Sequence, residues 1–254
     1  MTIEITQMPW VPVLVNGKGP YSFGIDTGYL GFCLSSHVVA ELHLAESPDG
    51  RVSLGSLAVC DLTFRDFEIT VRDNSAISKL ANRRVDGLLG MGFLKYFQTT
   101  LDYPASSLTL VPLQQLIGRW PPPTPGTSCV RISYPNRYVV VPVRINESAP
   151  HGFLLDTGAG TCVVSDELAR ELKLPREGSA LAHGSVDAKQ CYGSQARSLC
   201  VGNRKVADLP VSVMACAHVS EYAGTRIDGY LGYNFLKDTS ITVNVLDLTL
   251  CISD

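Results

Sequence analysis

The sequence predicts an all-β protein built from two equivalent lobes, each a small barrel or sandwich with a few short helices, and three observations carry this. Residues 11–44 align without a gap onto residues 141–174, 130 positions downstream, and thirteen of the thirty-four are identical. A second block, Val85-Asp86-Gly87-Leu88-Leu89-Gly90-x-x-Phe93-Leu94-Lys95, returns as Ile227-Asp228-Gly229-Tyr230-Leu231-Gly232-x-x-Phe235-Leu236-Lys237 at a spacing of 142. Between these blocks the apolar segments are short, rich in β-branched residues and bounded by Gly, Pro, Asn or Asp, which is the pattern of strands in an all-β lobe.

The chain is therefore an internal duplication. In 254 residues it holds a first lobe over 1–112, a linker over 113–128 and a second lobe over 129–254, each lobe large enough for its own core. In the first lobe, Val11-Pro12-Val13-Leu14-Val15 before Asn16-Gly17 reads as a strand and turn, as does Phe67-Glu68-Ile69-Thr70-Val71 before Arg72-Asp73-Asn74. A short helix follows the first repeat block in each lobe, capped by Ser35 or Ser165, with Leu168, Leu172 and Leu174 near helical spacing in the second copy. A second short helix is expected over Gly92 to Phe97 and at the matching place in the other lobe. The linker ends in Trp120-Pro121-Pro122-Pro123-Thr124-Pro125-Gly126, where four prolines remove backbone donors and favour an extended spacer. Because Ser56-Leu57-x-Val59 matches Ser198-Leu199-x-Val201 at the larger spacing, the twelve extra residues of the second copy fall between its first helix and those strands.

Bulk properties exclude several function classes. With 45% hydrophobic and 18% charged residues and a formal charge of −3, the chain has no field of one sign to recruit nucleic acid or an anionic membrane. No run of eighteen apolar residues is present, and Met1 to Val15 holds Glu4, two prolines and no Lys or Arg, unlike an export signal, so cytoplasmic residence is expected. The eight cysteines show no Cys-x-x-Cys pair and mostly sit in apolar strand-like runs, so no zinc site is expected and buried reduced thiols are favoured over a disulfide framework. The histidines lack metal-binding spacing, and His37 and His43 fall on a predicted helix. Neither a metal nor any other cofactor is expected.

The chemistry lies in the tripeptide Asp-Thr-Gly, which ends a short apolar run at Asp26-Thr27-Gly28 and again at Asp156-Thr157-Gly158. A carboxylate held in such a tight turn receives backbone hydrogen bonds, and Gly permits the turn. Two such turns facing each other across a two-fold axis cannot both ionise easily, so the pair keeps one proton and can do acid and base work together. Asp86-Gly87 and Asp228-Gly229 are expected to be turn or capping residues, not a second dyad.

These residues resemble the retropepsin-like aspartic protease family, in which apolar-apolar-Asp-Thr-Gly and a later apolar-Asp-Gly-x-Leu-Gly-like segment build the active-site barrel. The resemblance covers nearly the whole chain, once per lobe. Retropepsins generally pair two single-motif chains, and pepsins carry two lobes in one chain; this sequence looks like a tandem fusion between those forms. The resemblance implies a peptide endopeptidase with Asp26 and Asp156 as the catalytic pair activating one water. It implies that Thr27 and Thr157 lock the two turns by reciprocal hydrogen bonds, that Gly28 and Gly158 give the turn geometry, and that Gly90 and Gly232 let a strand pass close beneath each turn. The partner is then a peptide or protein substrate, bound extended between the lobes, and a monomer is expected because one chain contains both half-sites.

Two departures bear on activity. After the second turn the chain reads Ala159-Gly160, near the family's usual small residue, but after the first it reads Tyr29-Leu30, so the two aspartates are expected to be inequivalent. At the family's flap position the first lobe offers only Ala45 to Gly55, whereas the second offers Pro175 to Arg197, so a single flap from the second lobe is expected, with Gly184, Ser185 and Tyr192 as candidate substrate contacts. The alternative reading is a catalytically silent module that keeps the groove to bind a peptide or a protein.

Overall fold

The computed structural model describes residues 1–117, 126–179 and 191–253. The first half runs β1 (Glu4–Ile5), β2 (Pro9–Val15), β3 (Lys18–Ile25), β4 (Phe32–Ser35), α1 (Ser36–Glu41), β5 (Arg51–Val59), β6 (Leu62–Arg72), α2 (Ser75–Leu80), β7 (Gly87–Leu89), α3 (Met91–Leu94), β8 (Phe97–Asp102) and β9 (Ser107–Pro112). The second half repeats it as β10 (Ser128–Arg131), β11 (Val140–Ile145), β12 (His151–Leu155), β13 (Val163–Ser165), α4 (Asp166–Glu171), β14 (Glu177–Ser179), β15 (Tyr192–Val201), β16 (Arg204–Met214), α5 (Ala217–Ala223), β17 (Gly229–Leu231), α6 (Tyr233–Leu236), β18 (Ser240–Asn244) and β19 (Thr249–Ser253).

Each lobe is a closed six-stranded barrel. The first has the order β2-β3-β7-β4-β6-β5 and is closed by pairing of β2 with β5; the second has β11-β12-β17-β13-β16-β15, closed by β11 with β15. Closure removes the sheet edges that a lobe of this size would otherwise expose. Alternation sets the faces: in β2, Val11, Val13 and Val15 are buried while Pro12 and Leu14 are exposed. The hairpin turns that follow β2 and β11 use Asn16 and Asn146, both left-handed (φ 50° and 49°), and each side-chain oxygen accepts an N–H from the matched residue of the neighbouring strand, Ser56 or Ser198.

A third sheet, β10-β19-β18-β8-β9, takes strands from both halves, with β18 pairing antiparallel to β8. The lobes thus share a sheet, and the largest hydrophobic cluster runs continuously from Val11 and Phe23 of the first barrel through Leu101, Leu108 and Ile241 to Phe153 and Leu231 of the second. At the β18–β8 seam the hydroxyls of Thr100 and Thr242 lie 2.9 Å apart. These two are repeat mates at the 142 spacing, and mates can touch each other only on the axis that relates the copies.

Several details correct the sequence reading. Cys129 and Cys251 form a disulfide between β10 and β19, against the expectation of reduced thiols; strand pairing brings together two residues 122 positions apart, which spacing along the chain cannot show. Cys33, Cys162 and Cys216 are buried thiols outside this bridge. Ser165 caps α4 by accepting the Leu168 N–H, but the Ser35 hydroxyl is 2.8 Å from His37 Nδ1 and does not cap α1. His43 lies beyond α1, in a left-handed conformation, and the second short helices are single turns over Met91–Leu94 and Tyr233–Leu236. Most of the Pro-rich segment falls outside the described residues.

The two Asp-Gly aspartates are more than turn residues. Asp86 is buried, accepts the Ser22 N–H, and takes Arg84 Nε at 2.6 Å and His37 Nε2 at 2.8 Å on its other oxygen. Asp228, also buried, pairs with Arg226 Nε at 2.6 Å, and Arg84 and Arg226 reach on to Glu41 and Glu171 of α1 and α4. The matched networks pin each helix to its barrel, with the buried charge compensated on every side.

Candidate active site

The parallel pairs β3–β7 and β12–β17 deliver the Asp-Thr-Gly turns. Asp26 N–H donates to Leu89 C=O and Asp156 N–H to Leu231 C=O, both at 3.1 Å, so each aspartate leaves its strand at the end of the neighbouring Asp-Gly-x-Leu strand. Directly beyond lie Gly90 and Gly232. A Cβ on Gly90 would collide with the carbonyls of Tyr29 and Gly31, and one on Gly232 would stand 2.6 Å from Thr161 C=O. The motif's terminal glycine is thus required by close passage of the chain after each turn.

Thr27 and Thr157 join the turns. Each backbone N–H donates to the other's hydroxyl at 3.1 Å, and each hydroxyl donates across the lobes at 2.7 Å, Thr27 to Leu155 C=O and Thr157 to Ile25 C=O. Both side chains are buried. This is a second contact between repeat mates, at the 130 spacing, so the pseudo-two-fold axis passes through the turns as well as through the shared sheet.

That symmetry brings the carboxyls together. A Cβ on Gly28 would sit 2.7 Å from the Asp156 carboxyl carbon, and one on Gly158 2.8 Å from that of Asp26, so each carboxyl lies over the glycine of the opposite turn. Asp26 Oδ1 accepts the N–H groups of Gly28 and Tyr29, and Asp156 Oδ1 accepts that of Gly158. Both residues keep a partial opening to solvent. Burial pushes both carboxyls up. Asp26 is held back by the Tyr29 and Gly28 N–H groups and by the charge of Arg72, whereas burial and then the Asp26 charge drive Asp156 to about 8. At mid-range pH the pair accordingly holds one proton between its two carboxyls.

Tyr29 does not stand between the carboxyls. Its ring folds back on its own lobe, packed with Trp10, Cys33 and Leu88, and its hydroxyl end lies against Gly31, where a Cβ would collide with it. Burial, then Cys33, raises its phenol to about 12, so it stays neutral. The N-terminal segment crosses to the second lobe: Gln7 Oε1 and the Met8 methyl would lie 2.6 and 2.9 Å from Cβ atoms on Gly160 and Gly158. On the Asp156 side stand Tyr103, Tyr138 and Tyr230, each raised by burial first and in part by the Asp156 charge.

The flap candidates fare unevenly. Gly184 and Ser185 lie outside the described residues. Tyr192 opens β15 opposite Val213, with the Arg176 guanidinium 4.5 Å from its ring centroid. The extra length of the second lobe begins with β14, which adds a strand to β15, where the first lobe has only the Glu46–Val52 bridge. Arg72 was not singled out by the sequence reading. Its signal was its alignment with Met214 at the 142 spacing, a cation opposite an apolar residue. Among the described residues, no group of three or more His, Cys, Asp or Glu could hold a metal ion, and no helix is long and apolar enough to cross a membrane.

Comparison with known proteins places this geometry. The family model described as Aspartyl protease matches residues 141–235, which span the second lobe from β11 to α6. No curated protein sequence matches the chain. Among solved structures, Basic 7S globulin from soybean is similar at 11% identity and a TM-score of 0.52, covering 98% of this chain and 91% of its own, and shares the two-lobe fold. Conglutin gamma from lupine seeds is similar at 10% identity and a TM-score of 0.49, covering 97% of this chain and 91% of its own. A retropepsin-like aspartic protease from Rickettsia conorii is similar at 16% identity and a TM-score of 0.36, covering 50% of this chain and 89% of its own. The Aspartyl protease model thus matches the second lobe, and the first lobe is that lobe's sequence repeat with the same closed barrel order.

Proposed function

We propose that the protein is an aspartic endopeptidase that hydrolyses peptide bonds with a water activated between Asp26 and Asp156. The observation that carries this is the Thr-clamped pair of turns, which sets each carboxyl over the opposite glycine with a partial opening to solvent. Asp26, as carboxylate, takes a proton from the water as it attacks the peptide carbonyl; Asp156, as acid, donates to the carbonyl oxygen. As the tetrahedral adduct collapses, Asp26 passes its proton to the departing amine while Asp156 takes back the proton of the adduct hydroxyl that becomes the new carbonyl, so the pair ends with one proton, as it began. Substrate lies extended between the lobes, paired as an added strand with the second-lobe hairpin.

Incubation with a denatured protein mixture from acid to neutral pH tests the proposal. Wild type is expected to release peptides, and Asp26→Asn and Asp156→Asn to release none. A second reading, a silent peptide-binding module, is favoured by Tyr29 at the place of Ala159 and by the short first-lobe hairpin. Two of the similar structures are globulins by name, so the fold alone does not decide. No cleavage by wild type with intact peptide binding selects the module. Because one chain supplies both half-sites, the working form is proposed to be a monomer, which light scattering checks.

A further inference from the structure

We propose that Arg72 receives an acidic side chain, Asp or Glu, of the bound peptide beside the reacting bond on the first-lobe side of the dyad; this rests on the peptidase reading and specifies its substrate class. Arg72 ends β6 as the register partner of Ser35, and its repeat mate, the register partner of Ser165, is Met214. The mate of Tyr29 is Ala159, so two differences between the lobes fall together. They are also in contact: the Arg72 guanidinium lies over the Tyr29 ring, 5.0 Å from its centroid, and Tyr29 directly follows the Asp26 turn.

Half-burial without a carboxylate sets Arg72 apart from the first lobe's other arginines, of which only the exposed Arg65 also lacks an ion pair among the described residues. In the same lobe Arg51 pairs with Asp49 and Glu68, Arg83 with Glu4, and Arg84 with Glu41 and Asp86. Arg72 is half-buried, and among the described residues no carboxylate lies within 4.0 Å of it. The adjacent Asp73 is exposed and accepts the Ser75 N–H instead. Arg72 is nevertheless close enough to Asp26 to help hold that carboxyl down.

The Arg72 guanidinium engages the Tyr29 ring and hydroxyl, and with five N–H donors it keeps others to meet a carboxylate, which arginine binds with two parallel hydrogen bonds. A partly desolvated cation without a carboxylate partner gains more from such a pair than an exposed one. On the second-lobe side the matched region is apolar, formed by Val163, Met214 and Cys216 with Cys191 and Tyr230. The matched positions thus carry a half-buried cation in the first lobe and a buried apolar side chain in the second.

The test has two arms. In the first, wild type, Arg72→Met and Arg72→Glu are profiled on a denatured protein digest. Wild-type cleavage sites are expected to be enriched in Asp or Glu at one fixed position, the enrichment to vanish in Arg72→Met, and Arg72→Glu to turn it toward Lys or Arg. In the second, the Asp26→Asn/Asp156→Asn protein is titrated with fluorescein-labelled, Leu-rich octapeptides carrying one Glu or one Gln at each position in turn. At one position Glu is expected to bind at least tenfold tighter than Gln, and adding Arg72→Met to bring that ratio near one. Thermal melts confirm that each variant is folded. Cleavage without acidic preference, or a preference that survives Arg72→Met, overturns the inference and leaves the peptidase reading standing. A binding preference without cleavage overturns the peptidase reading and leaves Arg72 as a carboxylate receptor, and no preference in either arm overturns the inference.

Discussion

Thr157→Val tests the clamp that creates the site. The Thr157 hydroxyl is fully buried and makes two hydrogen bonds, donating to Ile25 C=O at 2.7 Å and accepting from Thr27 N–H at 3.1 Å. Valine has nearly the same shape, so no cavity opens and the whole cost comes from two buried backbone groups left without partners. At about 1–3 kcal/mol for each unsatisfied group, the substitution should cost about 2–6 kcal/mol, a large share of the stability of an ordinary domain. Thr27→Val should cost a similar amount, since it orphans Leu155 C=O and Thr157 N–H. Urea unfolding followed by Trp10 fluorescence measures both, with Thr242→Val, which breaks one side-chain pair in the shared sheet, as the control. The double variant should lose less than the sum, because once one threonine is gone the turns can part and solvate the other's partners. A cost below about 0.5 kcal/mol, or one no greater than that of the control, would show that the turns are held by the shared sheet and not by the threonines.

Three further outcomes follow from the same structure. The folded chain holds the Asp156 proton more tightly than the unfolded chain does, since that carboxyl is raised to about 8. Its contribution to stability is therefore complete below about pH 4 and is lost as pH rises toward 8, by at most about 1.4 kcal/mol per pH unit; unfolding across this range should show a steeper slope in wild type than in Asp156→Asn, which keeps only the raised Asp26, while cleavage should fade as pH passes about 8. Reducing the Cys129–Cys251 bridge, or Cys129→Ser, should lower stability by about 2–5 kcal/mol in urea, because the bond closes a loop that contains the entire second barrel. Glu147 holds a left-handed φ of 66° where its mate Gly17 has 74°, so Glu147→Gly should gain about 0.5–1 kcal/mol in the same assay, and a loss would contradict backbone strain there.

The duplication, the β class and the two Asp-Thr-Gly turns were legible in the sequence because they depend on local pattern. Valines in alternation, Asn at both hairpins and a glycine after each Asp-Gly-x-Leu strand record what each short segment needs, and recording it twice gives the register of one lobe on the other. What the copies share, the sequence states; where they meet, it does not. The tertiary structure decided that Thr100 faces Thr242, that Cys129 bonds Cys251, that the lobes share one sheet and one continuous core, and that Arg84 and Arg226 reach Glu41 and Glu171. It also turned Tyr29 away from the dyad and set Arg72 over its ring. Each of these joins residues far apart along the chain, and such contacts depend on how whole barrels pack, a property that spacing and periodicity do not encode.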